Sequence, residues 1–382
     1  MHCALCAESF AFQATFSYTI PMPNRKYHKI RVVFTVILAV LLLIWGFVLK
    51  APFIGISAPE TSHDFSSIIK DNVSGSTKLT DIAMLGAHDA FAHKISGSSK
   101  YDSNAESAYN NRALFFLMSG ILARNTKTQV SSAYKLLTHG VRYFDVRITL
   151  HNGEWYAHHN LISDKLSAYL KDTIRFLNEN NGEFIVFDIQ HARLADREYR
   201  ELLDYISSVK EGGNSLSDYV NFDPRYTLLS DLTLDDATLN GTKAGAVVLA
   251  KADFYYGSFH YEYFSSIRSE WHSEFATKNI LPKINAEYKT LKDNEDLDRN
   301  KFRVNQAQLT PNYGKGFFQC VTDWTLLNRA QKHNQELLNH KDFNAWLSVM
   351  PIFMCDFSDS QKGNFNKLVI EKINQFNALN SK

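Results

Sequence analysis

The sequence predicts an α/β fold built on a parallel sheet, preceded by one membrane-spanning helix. Three observations carry this. After about Thr80, short apolar strand-like runs alternate with amphipathic helical stretches, the pattern of βα units. Several of those runs finish on a charged or imidazole side chain. Ahead of them, Val32–Leu49 reads VVFTVILAVLLLIWGFVL, 18 residues without a charge, which meets the lower length for crossing a bilayer.

Composition narrows the class. A chain of 382 residues is long enough for one barrel-sized domain with extras. Its 41 Lys and Arg balance 40 Asp and Glu, so bulk charge points to no nucleic acid or other polyanion partner. Hydrophobic residues at 45% and aromatics at 13% suit a globular core. Four cysteines are too few for a disulfide scaffold. Cys3 and Cys6 form a lone C-x-x-C in the N-terminal tail, read as free or lipidated thiols.

Residues 1–31 show no helical or strand period and end in Arg25, Lys26, Lys29 and Arg31. The anchor is Val32–Leu49, with Trp45 suited to the interface. It is read as uncleaved, because the run exceeds a signal-peptide core and Ser57-Ala58 is followed by Pro59. Four cations before the span, against Lys50 just after it, put the N-terminus in the cytoplasm and the remainder outside. Residues 50–78, with a Ser/Gly/Asn-rich stretch from Pro52 to Lys78, read as a linker. Residues 79–382 then form the main domain.

Within that domain, Ile82, Met84 and a turn at Gly86 lead to His88-Asp89. Asn104–Leu137 is an insertion whose apolar centre, Ala113–Ala123, reads as a core helix rather than a lipid-touching rim. A second strand runs from Val141 to Arg147, turns at Asn152-Gly153 and returns to His158-His159. Leu166, Tyr169, Leu170, Thr173 and Leu177 give helical spacing over Asp164–Asn178, closed by Asn180-Asn181-Gly182. Glu183–His191 is a buried strand with Asp188 and Gln190 on one face. Asp196–Val209 is helical, Ala244–Phe254 a strand, and Tyr255–Leu297 helix with loops. Gly314–Trp324 is a further strand and Gln331–Leu347 a helix. Val349–Phe357 is the last strand and Asn364–Leu379 the closing helix.

Five strands therefore end in a polar group: His88-Asp89, Arg147, Lys251, Asp323 and Asp356. Alternation puts Asp145 and Arg147 on one strand face, where burial without partners would be costly. Two histidines from separate segments can supply an acid and a base. His139, His151 and His191 read as surface or capping groups. His158 replaces His159 as the inward residue if the register slips by one. Cys320 and Cys355 have the opposite parity to Asp323 and Asp356 and read as inert buried thiols.

Three blocks in this order, G-A-H-D (Gly86–Asp89), R-Y-F-D-V-R (Arg142–Arg147) and W-Y-A-H-H (Trp155–His159), resemble the catalytic X region of phosphatidylinositol-specific phospholipases C. The likeness runs from about Thr80 to the C-terminus. It implies a distorted (β/α)8 barrel with its site at the C-terminal strand ends. It also implies attack of the inositol 2-hydroxyl on phosphorus, with release of diacylglycerol. In that resemblance His88 is the base, His159 the acid and Arg147 the charge stabiliser. Asp356 orients the base, Asp89 assists the acid, and Asp145 is the partner of the arginine. Lys251 and Asp323 match positions that hold inositol hydroxyls, although Thr325 stands where bacterial enzymes carry a hydroxyl-binding aromatic.

The calcium-dependent branch of the family has a carboxylate where Arg147 stands. The resemblance is thus to the metal-independent, bacterial-like branch, and no cofactor is expected. Asp89, Asp145 and Asp188 could be imagined as calcium ligands, but an arginine among them argues against it. The implied substrates are phosphatidylinositol-type or glycosylphosphatidylinositol-like lipids at a membrane surface, reached through the Val32–Leu49 anchor. No obligate protein partner is implied. Two alternatives stand beside this reading. One is a metal-dependent glycerophosphodiesterase or phospholipase D-like enzyme. The other is a non-catalytic X-like domain that binds a headgroup.

Overall fold

A computed structural model describes residues 25–44, 46, 63–102, 112–192, 194–255, 257–311 and 326–380. It divides into two compact units, 1–47 and 48–382. In the first, α1 (Arg25–Ile44) carries the apolar run, and its described side chains are exposed. The segment Tyr27–Ile44 is long and apolar enough to cross a membrane. The helix starts inside the basic cluster, seven residues ahead of Val32. Trp45 and residues 47–50 lie outside the described residues.

The second unit opens on α2 (Ile68–Asn72), whose Ile68 and Ile69 are buried in the main core. The stretch read as linker is therefore packed structure at its C-terminal end. Then come β1 (Met84–Ala87), α3 (Arg112–Thr126), α4 (Ala133–Thr138) and β2 (Val141–His151). They are followed by β3 (Glu154–His159), β4 (Leu161–Lys165), α5 (Leu166–Glu179), β5 (Phe184–His191) and α6 (Asp196–Ser208). Next are α7 (Leu234–Thr238), β6 (Gly245–Ala250), β7 (Tyr261–Glu262), α8 (Tyr263–Ser266), β8 (Ile267–Ser269) and α9 (Thr277–Asp293). The chain closes with β9 (Phe302–Gln306), α10 (Leu326–Leu338), α11 (Phe343–Val349), β10 (Ile352–Cys355) and α12 (Phe365–Asn380).

Among the described residues the main sheet runs β7-β6-β5-β2-β1-β10-β9-β8, every pairing parallel. That is a curled barrel wall, with its two shortest strands at the ends of the path. The strands are apolar on both faces because helices cover them outside and side chains fill them inside. The residues of β6 are all buried, as are the first six of β5. On α5 the buried set is Leu166, Tyr169, Leu170, Thr173, Ile174, Phe176 and Leu177, the stripe a 3.6-residue period requires.

Several boundaries differ from expectation. The strand expected over Ala244–Phe254 is six residues, because the chain turns away at Lys251. The helix expected over Gln331–Leu347 is two, α10 and α11, separated by a turn around His340. The strand β9 (FRVNQ) was not anticipated: polar residues at three of its five positions hide its strand character, yet all five are buried. The expected strand Gly314–Trp324, with Cys320, lies outside the described residues. Cys355 is buried as expected, and burial pushes its thiol pKa well up.

Candidate active site

Apart from His159, the expected site residues that are described come from five strands that are consecutive neighbours in the sheet, β6, β5, β2, β1 and β10, or from the residues just after them. Register brings their ends level. Ala87 pairs with Phe144 on one side and Cys355 on the other, and Asp145 pairs with Asp188. The next residue on β1 is His88 and on β10 is Asp356. At Gly86 an added Cβ would meet Tyr143 at 2.9 Å and Met354 at 3.1 Å. The close approach that levels β1 with its neighbours therefore needs glycine there.

Both strands leave the barrel through a left-handed residue, Asp89 (φ 41) after His88 and Phe357 (φ 49) after Asp356. Such conformations are disfavoured for non-glycine residues and collect at functional sites.

His88 is 7% exposed, with Nδ1 2.7 Å from Asp356 Oδ1. Its Nε2 lies 3.3 Å from Asp89 Oδ2, 3.8 Å from Asp145 Oδ2 and 3.2 Å from Arg147 Nη2. With Nδ1–H donated to Asp356, Nε2 is the accepting nitrogen and takes a hydrogen bond from Arg147 Nη2. Burial pushes the His88 pKa down, but Asp89, Asp356 and Asp145 together outweigh it and raise it to about 9.

The second histidine arrives by a different route. β2 is long, and its outer part folds back on β3 as an antiparallel hairpin. Asn152 (φ 52) and Gly153 (φ 78) make the expected turn, the Asn-Gly pair favoured when both central residues have positive φ. The hairpin returns His159 to His88, ring centroids 5.9 Å apart. His159 Nδ1 is 2.9 Å from Asp89 Oδ2 and 2.7 Å from the Thr126 carbonyl. His158 points elsewhere, its Nδ1 2.8 Å from Asp102 Oδ2; Asp102 also accepts from Thr149 Oγ1 at 3.1 Å. Of the adjacent pair, His159 is the inward residue.

Asp145 and Arg147, two apart on β2, both converge on His88-Asp89. The β2–β5 register shifts between Val146 and Arg147, where β5 carries one extra residue, Gln190. Arg147 Nε meets Asp89 Oδ1. Burial works against ionising Asp89, but Arg147, His159 and His88 hold its pKa far below the usual carboxylate range. Asp145 has no side-chain exposure. Burial, aided by Asp89 and opposed by Arg147, raises its pKa. The pKa values of two neighbouring carboxylates are thus pushed in opposite directions. His88, Asp89 and Asp145 each offer an atom within 4.8 Å of the others, a spacing a divalent cation could use. The guanidinium of Arg147 already brings positive charge to two of the three.

Lys251 follows β6 as expected. Its Nζ sits 4.4 Å from the centre of the Tyr263 ring. Burial lowers its pKa, against the pull of Asp188 and Asp145. Asp188 is fully buried, and burial with Asp145 nearby raises its pKa well up; it accepts from Tyr143 Oη. Asp323 lies outside the described residues. His139 does occupy the C-cap of α4, yet it is buried, its Nδ1 3.0 Å from Asp359 Oδ2.

Sequence reasoning missed one segment, Thr126–Gln129. Thr126, Thr128 and Gln129 are all buried, and they touch His159, Asp89 and His88 respectively. A short polar run after an apolar helix looks like a surface loop, and no periodicity marks it otherwise. The C-terminal half of α3 that leads into it, Ser119–Thr126, is buried, as a core helix requires.

No protein-family model matches the chain. It is 33% identical over 144 residues to a variant-surface-glycoprotein phospholipase C of Trypanosoma cruzi, a match covering 35% of this chain and 37% of that protein. A PI-PLC X-box domain-containing protein of Dictyostelium discoideum is 29% identical over 148 residues, covering 38% and 19%. Human PI-PLC X domain-containing protein 2 is 25% identical over 243 residues, covering 61% and 73%. The matches thus span well under two thirds of the first two relatives. Two structures of the phosphatidylinositol-specific phospholipase C of Staphylococcus aureus, one a point variant, superpose with TM-score 0.52 at 16% and 17% identity. They cover 81% of this chain and 97% and 98% of theirs. The resemblance to the phosphatidylinositol-specific phospholipase C X-domain family therefore holds in sequence. The fold is that of the bacterial enzymes' TIM-like barrel.

Proposed function

We propose that the chain is a phosphodiesterase of the phosphatidylinositol phospholipase C type, acting on inositol phospholipids or glycosylphosphatidylinositol-like lipids. One observation carries the reading: His88 and His159 face each other across Asp89, with Asp356 behind the His88 ring and Arg147 against His88 and Asp89. A pure binding site has no need of two opposed histidines on carboxylate tethers. Acid–base chemistry does.

The steps follow from the tethers. His88 Nε2 takes the proton of the inositol 2-hydroxyl, and Asp356 steadies the resulting imidazolium through Nδ1–H. The hydroxyl oxygen bonds to phosphorus. Arg147 offsets the charge that builds on the equatorial oxygens, its fork matching phosphate. The bond from phosphorus to the glycerol oxygen breaks, and His159 donates its Nε2 proton to that oxygen while Nδ1–H stays on Asp89 and the Thr126 carbonyl. The products are a cyclic inositol phosphate and diacylglycerol. Lys251 and Asp188 stand on the adjacent strands, where headgroup hydroxyls need partners, and Asp323 is proposed for the same role.

We further propose that α1 anchors the chain in the membrane with its N-terminus cytoplasmic. That reading rests on the basic cluster ahead of the apolar run. The grouping of His88, Asp89 and Asp145 supports a second reading, metal-assisted cleavage. One experiment separates the two. Phosphatidylinositol in mixed micelles is offered with and without excess chelator, and the product is followed by phosphorus NMR. A cyclic phosphate formed equally in both arms supports the metal-free reading. Activity abolished by chelator and restored by calcium sinks it, and no turnover in either arm points to the binding-domain alternative.

A further inference from the structure

We propose that Gln129 is a positioning residue for the His88–Asp356 pair, and that the strap Thr126–Gln129 sets both histidines from one buried stretch of chain. The inference rests on the proton roles proposed above.

The side-chain amide of Gln129 is fully buried, and both its ends are in use. Nε2 donates to the His88 carbonyl at 3.0 Å and to the Cys355 carbonyl at 3.1 Å. Oε1 accepts from Ser358 N at 3.1 Å and Ser358 Oγ at 3.2 Å. Only this orientation of the amide works, since one end meets two carbonyls and the other a backbone N–H.

The place matters as much as the count. The β1–β10 ladder ends at Ala87 and Cys355, closed by His88 N donating to Cys355 O at 3.1 Å. Beyond it both chains turn away through Asp89 and Phe357. His88 and Asp356 thus stand where backbone pairing has just stopped. Gln129 supplies the missing rung. It ties the carbonyl of the base itself to the residues before and after Asp356, and so fixes the separation across which Nδ1 meets Oδ1.

The strap continues in both directions. Thr128 Oγ1 donates to the Asp89 carbonyl at 3.1 Å, and the Thr128 carbonyl accepts from Phe357 N at 2.6 Å. Thr126 presents its carbonyl to His159 Nδ1 at 2.7 Å. Three residues of one segment, Thr126, Thr128 and Gln129, therefore reach His88, Asp89 and His159 directly and hold Cys355, Phe357 and Ser358 around Asp356. A core loop with a packing role alone would have no reason to spend its polar groups there.

Gln129→Met keeps the volume and removes every hydrogen bond. Gln129→Glu keeps the acceptor for Ser358 and turns a carboxylate on two carbonyls. The full chain is used, with circular dichroism melts to verify folding. Each variant should lower kcat about 10–10²-fold, the scale of a small misplacement, with KM within about threefold. The low-field proton of His88 Nδ1–H, assigned by its loss in His88→Ala, should disappear or broaden in both. Should neither Gln129 variant fold, Thr128 decides: Thr128→Val should lose about tenfold in kcat and Thr128→Ser should restore it. Full kcat with the low-field proton intact in a folded Gln129→Met overturns the proposal, as does equal activity of the two Thr128 variants. The proton signal needs no turnover. An inactive wild type would therefore sink the functional reading while leaving this test in force.

Discussion

The two histidines face each other but belong to different kinds of structure. His88 follows a fully buried barrel strand, its ring held by Asp356 from the next strand and faced by two further carboxylates, Asp89 and Asp145. His159 ends a strand of a hairpin added beyond the barrel wall, more exposed, and held by one carboxylate and one backbone carbonyl. His88 is thus set by the barrel wall, and His159 by a hairpin that extends one wall strand beyond it. In this arrangement the carboxylate load also differs: three carboxylates lie within 4 Å of the His88 ring nitrogens and raise its pKa to about 9, whereas one carboxylate holds His159.

The largest effects should break the pair. His88→Ala and His159→Ala should each lower kcat by at least about 10²-fold. A substrate with an acidic phenol leaving group sharpens the contrast, because such an oxygen departs without a proton. It should recover most of the loss in His159→Ala and almost none in His88→Ala. Recovery of both, or of neither, would mean that the acid and base assignments are wrong.

Next in size is the guanidinium against His88 and Asp89. Arg147 touches His88 and Asp89 and brings the cationic charge to both. Arg147→Lys keeps a charge but loses the planar fork. The expected loss is about 2–4 kcal/mol in the barrier, read as kcat/KM on phosphatidylinositol. A lysine variant as active as the parent would show that the fork makes no phosphate contact in the transition state.

Much of this site was legible in the chain, and the reason is topological. Barrel enzymes gather function at strand ends, so His88, Asp89, Arg147, Lys251 and Asp356 could be read as polar stops to apolar runs. Asn152-Gly153 announced the hairpin. What stayed hidden has physical causes. The extra residue Gln190 on β5, which shifts the register opposite Val146-Arg147, leaves no mark in the sequence, whereas the convergence of Asp145 and Arg147 follows from alternation along β2. β9 hid because Arg303, Asn305 and Gln306 are buried polar groups, and the partners of Arg303 and Gln306, Asp81 and Ser269, come from elsewhere in the chain. Gln129 hid for the same reason, since its partners lie 41 to 229 positions away.

A smaller effect concerns pH. In its proposed role as base His88 must be neutral, so kcat/KM should rise with pH through its folded-state pKa, near 9 rather than 6.5. Asp356→Asn removes one carboxylate and the charged acceptor at Nδ1, and should move that rising limb toward lower pH while cutting kcat. Stability carries the same sign. His88 is raised above its unfolded value, so its contribution is full below about 6.5 and is lost as pH rises through about 9. Thermal melts across that window should fall for the parent and flatten for His88→Ala. A limb that stays near 6.5 in the parent would mean the three carboxylates do not act on His88 as their distances imply.

The smallest effect separates the neighbours on β3. His158 and His159 are adjacent, yet one faces the site and the other Asp102. Asp102 sits in the loop after β1 and also holds Thr149 on the hairpin's other strand. His158 therefore braces the hairpin from behind. His158→Ala leaves the Asp102 carboxylate one partner short in a buried setting, a cost of about 1–3 kcal/mol in stability. The catalytic groups themselves keep all their tethers, since Asp89, Thr126 and Asp356 do not touch His158. The variant should melt at lower temperature while keeping kcat within about threefold of the parent where it is folded. A loss in kcat as large as that of His159→Ala, with the melting temperature unmoved, would assign the proton role to His158 and shift the whole hairpin register by one.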